Sequence, residues 1–382
     1  VEWIIGYVPQ DDLLIDDLTV FQNLYFAAQL CFNHYSDFQL TQLVSKVLRS
    51  LGLEDTKDLK IGSVLDKRIS GGQRKRLNIG LELLREPTVL FVDEPTSGLS
   101  SRDSENIMDL LKELSLRGKM VFVIIHQPSS DIFKMFDSLI VLDVGGYQIY
   151  YGNPVESLIY FKQIIDAVDK TEGTCPECGN INAEKIFNII ETKIVDEYGR
   201  NTAMRKVSSV QWNSHFQEKI VILEVKTVRD KLFSSLRIPN KLKQTQIFAK
   251  RDVLSKLSDK QYLIINLLEA PSLALFMAFL VKYHANTGLH DHTYSFFHND
   301  NIAIYFFMSI IVALFMGLTV SAEEIFRDRK ILKREKYLHL SKGSYLTSKI
   351  LVLFTISGIQ TLMFVLIGNA ILEIAGMGFR LW

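Results

Sequence analysis

Asp93 and Glu94 stand side by side at the end of a short apolar run, Val89-Leu90-Phe91-Val92, bounded by Pro87-Thr88 before it and Pro95 after it. Such a run reads as a strand. A carboxylate at the carboxyl end of a buried parallel strand faces the crevice in which α/β sheets bind ligands. Asp93 is thereby placed to hold Mg²⁺, and Glu94 to orient or deprotonate a water that attacks a γ-phosphate. Upstream, Ser70-Gly71-Gly72-Gln73 opens a helix that runs to about Arg85. Ser70 is its candidate N-cap, and the two glycines let free backbone N–H groups approach a phosphate closely. Alone, Ser-Gly-Gly-Gln marks only a helix start. Followed by Val-Leu-Phe-Val-Asp-Glu-Pro-Thr-Ser-Gly-Leu it points to nucleotide chemistry.

The surrounding pattern supplies elements to hold these groups. Thr19-Val20-Phe21-Gln22 is a capping box that opens a helix to about Leu30. Residues 42–51 carry apolar side chains at helical spacing, with Gly52 as the stop. Another helix is predicted from Ser101 to Arg117, ended by Gly118, and a second buried strand at 121–125 leads into His126. Gly145-Gly146 lies between two short strands, 139–143 and 148–151, as in a β-hairpin. Two helices, 183–191 and 209–219, follow with a polar join, and 234–240, containing Pro239, reads as a linker.

Together these residues resemble the ATP-binding cassette (ABC) transporters. Ser70 to Gln73 look like the signature motif, Val89 to Glu94 like the Walker B strand, and the following Pro95-Thr96-Ser97-Gly98-Leu99 like the D-loop. Tyr7-Val8-Pro9-Gln10-Asp11-Asp12 resembles the Q-loop, and His126 the switch histidine that contacts the γ-phosphate. Arg74-Lys75-Arg76 and His126-Gln127-Pro128-Ser129 are similar to the G subfamily, in which the ATPase precedes the membrane domain. The resemblance implies ATP and Mg²⁺ as cofactors. It makes Glu94 and His126 catalytic, assigns Asp93 and Gln10 to the metal, and has Gln10, Ser70, Gly71, Gly72 and Gln73 bind nucleotide. In the family's closed dimer, the signature serves the partner's ATP. Two departures stand out. No Gly-x-x-x-x-Gly-Lys-Ser/Thr occurs, so the phosphate-cradling P-loop is missing, and the chain is expected to be a fragment that starts after it. Ser100 stands where the D-loop usually carries Asp, which puts cross-dimer coupling of the two ATP sites in doubt.

Net charge favours no partner, since 43 Lys and Arg balance 43 Asp and Glu. Three segments are long and apolar enough to cross a bilayer core of roughly 30 Å: 261–281, whose one charge is Glu269, and the uncharged 302–320 and 350–372. The intervening segment 282–301 holds one Lys or Arg, whereas 321–349 holds eight. By the positive-inside rule, residues 1–260 and 321–349 are then cytoplasmic and 282–301 lies outside. The ATPase thus falls on the side where ATP is. Residues 250–259 resemble a connecting helix along the membrane, and 323–336 a cytoplasmic coupling segment. Transporters of this type carry six spans per half, so the second half of the membrane domain is expected to lie beyond Trp382.

Three cysteines, Cys31, Cys175 and Cys178, fit a reducing compartment. Cys175-Pro-Glu-Cys178 is either a turn with two reduced thiols or half of a zinc site completed across a dimer, since structural zinc takes four ligands. His284, His290, His292 and His298 read as surface histidines. Glu269 lies roughly 12 Å into the first span. It is either a functional intramembrane carboxylate or one that snorkels or pairs with a cytoplasmic lysine.

The expected fold is an α/β P-loop NTPase-type ABC ATPase domain, here incomplete, followed by an all-α transmembrane domain. Residues 1–170 form the ATPase part, 171–240 a helical extension and linker, and 241–382 the connecting helix and three spans. The expected function is ATP-driven export of an unknown substrate by a dimeric half-transporter. The expected location is a bacterial inner or plasma membrane, with a second half-transporter and the lipid bilayer as partners and no nucleic acid. The alternative is a membrane-anchored regulatory ABC protein with weak or no hydrolysis. Cysteines placed at Asn286 and Ser341 should react with an impermeant thiol reagent from opposite sides of the membrane; labelling of both from one side would overturn this topology.

Overall fold

The computed structural model describes residues 4–63, 66–165, 182–195, 198, 200–219, 236–284, 297, 299–322, 324–335, 338 and 340–373. In chain order the elements are β1 (Ile5–Val8), α1 (Val20–Cys31), α2 (Asp37–Ser50), α3 (Gly71–Leu83), β2 (Val89–Asp93), α4 (Ser101–Leu116), β3 (Met120–Ile124), α5 (Ser130–Lys134), β4 (Leu139–Asp143), β5 (Tyr147–Gly152) and α6 (Pro154–Ile164). They continue with α7 (Glu184–Ile190), β6 (Lys193–Val195), β7 (Asn201–Arg205), α8 (Ser209–Lys219), α9 (Lys241–Ser258), α10 (Lys260–His284), α11 (Ile302–Ala322), α12 (Glu324–Glu335) and α13 (Lys342–Ile371). The chain divides into two compact units. One holds residues 4–10 and 87–234, the other 11–86 and 235–382.

The first unit is built on a parallel sheet in the order β1-β2-β3, with Val8 opposite Val92 and Val92 opposite Val123. Its strands alternate. Val8, Leu90 and Val92 are buried, while Tyr7, Phe91 and Phe122 line up on the opposite face and remain partly exposed, the last two with rings stacked 4.8 Å apart. The expected buried strands are only partly so: Leu90 and Val92 are buried, but Phe91 is open and none of residues 121–125 is fully buried. An apolar run alone does not say how many faces are covered. Beyond the sheet, the antiparallel pair β4–β5 turns through Gly145 and Gly146, with φ of 87° and 78°. Asn153 caps α6, with Pro154 at its start. Phe161, Ile149 and the fully buried Trp212 centre a core shared by α6, β5, α7 and α8. Between α7 and α8, the expected polar join contains an antiparallel pair, β6–β7. Arg205 of β7 reaches Asp143 of β4 at 2.8 Å.

In the second unit, three helices start with the same reciprocal cap. Thr19 with Gln22, Ser36 with Gln39, and Ser70 with Gln73 each satisfy two backbone donors that a helix start would otherwise leave open. The Ser36 cap starts α2 five residues before the expected Gln42. The buried Arg74 ties α3 to the preceding segments through Asp12 and Asp16, both at 3.0 Å, and the Gly62 carbonyl at 2.6 Å. Gly62 has φ of 76°, and a side chain there would strike the Asp66 carbonyl; only glycine takes this conformation without strain.

The same unit carries the long apolar helices. α10, α11 and α13 are long and apolar enough to span a membrane, at the positions expected from hydropathy. Ala270, Ala274 and Ala278 form a fully buried stripe on α10, in a cluster with Tyr305, Phe364 and Leu372. Small residues one turn apart let helix backbones approach closely where lipid offers no hydrophobic drive. Gly368 serves the same end on α13, since a side chain there would meet the hydroxyl of Tyr305. Outward-facing Leu275, Phe276, Phe279 and Phe354 are exposed, as a lipid-facing surface requires.

α9, α12 and the start of α13 meet through buried charges. Lys349 contacts Asp252 of α9 and, at 2.9 Å each, Glu324 and Asp328 of α12. Lys256 pairs with Glu324, and Arg251 with Glu335. α12 also reaches the segment after Gln10: Arg334 donates to the Leu13 carbonyl at 2.8 Å, and Arg327 lies 3.9 Å from Asp17. Leu18, Phe26, Leu30, Phe248 and Tyr345 form one apolar cluster beside these contacts. Removing one partner from a buried ion group leaves uncompensated charge that costs about 3–5 kcal/mol. Lys349→Met should therefore lower the thermal unfolding temperature of the detergent-solubilised protein substantially; an unchanged transition would show that these pairs do not hold the helices.

Candidate functional site

The carboxyl edge of the β1-β2-β3 sheet gathers the sequence-predicted groups of the first unit. Gln10 lies two residues past β1, Glu94 one past β2, and His126 two past β3. Gln10 Nε2 donates to Glu94 Oε2 at 2.7 Å. Asp93 ends β2, and its Oδ2 accepts from the Tyr7 hydroxyl at 3.3 Å. The backbone N–H of Glu94 donates to the Ile124 carbonyl of β3 at 2.9 Å, which fixes the Glu94 backbone to the neighbouring strand. Glu94 and Gln127 take φ of 42° and 46°. Non-glycine residues adopt this left-handed region at a cost, and such positions cluster where function constrains the backbone. His126 is exposed beside Gln127 and makes no hydrogen bond among the described residues.

Ser70, Gly71, Gly72 and Gln73 belong to the second unit. The Ser70 hydroxyl accepts from the Gln73 N–H at 3.2 Å, and Gln73 Oε1 accepts from the Ser70 N–H at 2.8 Å. Each polar side chain of the motif is thus engaged in its own cap, and the N–H groups of Gly71 and Gly72 lie at the first two positions of α3, which have no intrahelical acceptor. Such a helix start suits an anion.

The donor set beside Glu94 fits Mg²⁺. That ion takes one or two hard oxygen ligands from protein and fills its octahedron with water and phosphate. Asp93 offers a carboxylate, and Gln10, whose amide nitrogen is turned to Glu94, offers the amide oxygen as its metal-capable atom. Sequence reasoning passed over Tyr7, whose hydroxyl contacts Asp93; the register Tyr7 opposite Phe91 puts it on the sheet's open face, information that a single strand does not carry.

Ser100 is the N-cap of α4, its hydroxyl accepting from the Asp103 N–H at 3.2 Å. Serine and aspartate cap comparably, so the departure from the D-loop pattern keeps the helix start. Cys31 is fully buried, and burial pushes its thiol up to about 11, against the opposing pull of Arg85 and Arg334. It is an inert core residue. Cys175 and Cys178 lie outside the described residues, as do His290, His292 and His298.

Residues 2–97 match the ABC transporter family, residues 243–381 the ABC-2 type transporter family, and 126–172 a second family of that description. The chain belongs to the ABC transporters, with an ABC ATPase region followed by a helical ABC-2 type membrane region. Its relatives are of the G type. ABC transporter G family member 28 of Arabidopsis thaliana is 42% identical over 42% of this chain and 15% of its own length. The Bos taurus broad substrate specificity ATP-binding cassette transporter ABCG2 is 41% identical over 42% of this chain and 24% of its own. ABC transporter G family member 14 of Arabidopsis thaliana is 30% identical over 64% of this chain and 42% of its own. The matched stretch is thus less than half the length of each of these relatives.

Ser100→Ala should destabilise the protein by about 1 kcal/mol, the usual loss for a serine cap, whereas Ser100→Asn, which keeps a capping oxygen and a donor for the Asp103 carboxylate, should be close to neutral. Thermal unfolding of the two variants checks this; equal losses in both would mean that Ser100 does more than cap α4.

Proposed function

We propose that this chain works in ATP-driven export across a membrane, as part of a half-transporter that pairs with a second copy. The observation that carries the reading is the 2.7 Å hydrogen bond between Gln10 and Glu94 at the carboxyl edge of the sheet, next to Asp93. In this reading, Asp93 and Gln10 hold Mg²⁺, which supplies charge neutralisation for the β- and γ-phosphates. Glu94 accepts the proton of the attacking water, and His126 faces the γ-phosphate. Gln10 contacts the base through its amide nitrogen and would hold the metal through its amide oxygen, so it could register whether nucleotide is present. Ser70 to Gln73 serve the partner's nucleotide through the open N–H groups of α3.

The segment after Gln10 supports the coupling half of the proposal. Leu13 and Asp17 touch Arg334 and Arg327 of α12, the charged helix between two apolar ones. A shift of Gln10 on nucleotide closure would be passed along residues 11–17 to α12 and thence to the spans. The ATPase region faces the cytoplasm, where the basic segments lie. The 382 residues contain no Gly-Lys-Ser/Thr cradle, so these residues by themselves should not turn over ATP. The regulatory alternative rested on Ser100, and its cap on α4 gives that alternative no support.

In the full-length protein, Glu94→Gln should leave ATP binding intact and lower turnover by at least a hundredfold, because the amide keeps a hydrogen bond but cannot take a proton. Phosphate release alongside nucleotide binding tests this. Turnover near the wild-type rate would remove Glu94 as the base.

A further inference from the structure

A cavity of about 190 Å³ lies between α10, α11 and α12, at the end of the apolar helices that carries the charged segments. Tyr262, Asn266 and Glu269 line it from α10, at spacings of four and three residues that set them on one helix face. Ile265 and Val320 add apolar wall.

The charges around this cavity are unequally satisfied. Glu324, at one side, is held by Lys256 and Lys349 on its two oxygens. Arg327, the cation of the lining, lies 3.9 Å from Asp17. Glu269 has no hydrogen bond or ion pair among the described residues, although it sits in an apolar helix that spans the membrane. The Tyr262 hydroxyl, on the same helix two turns away, is buried out of reach of the cavity and has no hydrogen-bond partner among the described residues. The Asn266 side chain is already engaged: its amide nitrogen donates to the Tyr262 carbonyl at 2.8 Å, and its oxygen lies 3.3 Å from Gln360.

A carboxylate with no ion pair among the described residues, on a cavity whose walls include Ile265 and Val320, defines a ligand by complementarity. It must carry positive charge, offer N–H donors, and present an apolar body. We propose that this cavity binds a primary ammonium group borne on an apolar chain, with the ammonium on Glu269 and the chain against Ile265 and Val320. A free alkylamine and the ammonium headgroup of phosphatidylethanolamine share this chemistry. The site depends on the export reading only in taking α10 and α11 as membrane spans.

The test uses the full-length protein in phosphatidylglycerol nanodiscs without ATP, with tritiated decylamine as probe and decanol as its neutral counterpart. Wild type should bind decylamine saturably and decanol not at all. Glu269→Gln should weaken decylamine binding at least tenfold, and Glu269→Asp should retain most of it. Unchanged thermal unfolding of each variant establishes that the fold is intact. Adding phosphatidylethanolamine to the nanodiscs assigns the source: competition with decylamine in wild type identifies the lipid headgroup, and lack of competition a free amine. Equal decylamine binding in wild type and Glu269→Gln, or saturable decanol binding, would overturn the proposal. Because this binding assay contains no ATP, it reads the amine site independently of the ATPase reading, which phosphate release in a separate assay with ATP tests.

Discussion

Lys349 gathers three carboxylates from two other helices into a volume from which water is nearly excluded, and the arrangement of the second unit follows from that demand. Each of Lys349, Asp252 and Glu324 has about 6% of its side chain exposed. Buried charges are tolerated only when they are paired with good geometry. Asp252 on α9, Glu324 and Asp328 on α12, and Lys349 on α13 can meet only at one relative rotation of the three helices. Arg251 with Glu335 repeats the constraint further along the same pair of helices. The apolar cluster of Leu18, Phe26, Leu30, Phe248 and Tyr345 joins the first helix after the Q-loop segment to the same body. The helices next to the membrane and residues 11–30 are therefore held by both kinds of force, which makes a rigid lever a natural mode of coupling.

The sequence made the site's members legible because their chemistry is local. Asp93-Glu94 after a strand, Ser70 before a helix, and His126 after another strand each declare themselves within a few residues. The helix starts were legible for the same reason, since a capping box needs only four positions. The three apolar helices were readable from length alone. What stayed hidden depends on partners distant in sequence. Asp252 and Lys256 lie in the stretch that resembles a connecting helix and Glu324 in the expected coupling segment, but only packing reveals that they and Lys349 are buried against one another. Tyr7 was legible only as part of the stretch that resembles the Q-loop, and the register is what puts it near Asp93. The β6–β7 pair escaped because three and five residues offer too short an alternation to separate from a polar loop.

The sheet edge shows how a parallel register converts sequence position into geometry. Val8, Val92 and Val123 pair in register, so the residues immediately beyond them emerge at one height. Gln10, Glu94 and His126 come from segments more than thirty residues apart in the chain, yet each is delivered by the end of a neighbouring strand. The left-handed backbone at Glu94 turns the chain directly after Asp93, and the bond from its N–H to Ile124 holds that turn in place. Two adjacent carboxylates can then do different things, one directed at Tyr7 and the other at Gln10.

The second unit contains acidic residues of opposite physical character, and the contrast separates structure from function. Glu324, Asp328 and Glu335 are saturated by Lys and Arg, so they fix the helices and have little capacity left to recognise anything else. Glu269 is a carboxylate in an apolar helix with its charge uncompensated, and the Tyr262 hydroxyl is buried with nothing to bond. Both carry a cost that replacement by an apolar residue would remove. A fold that spends so many lysines and arginines on neighbouring acids, yet leaves Glu269 without one, sets that carboxylate apart from the structural pairs. A cationic group held beside Ile265 and Val320, as proposed, would complete it.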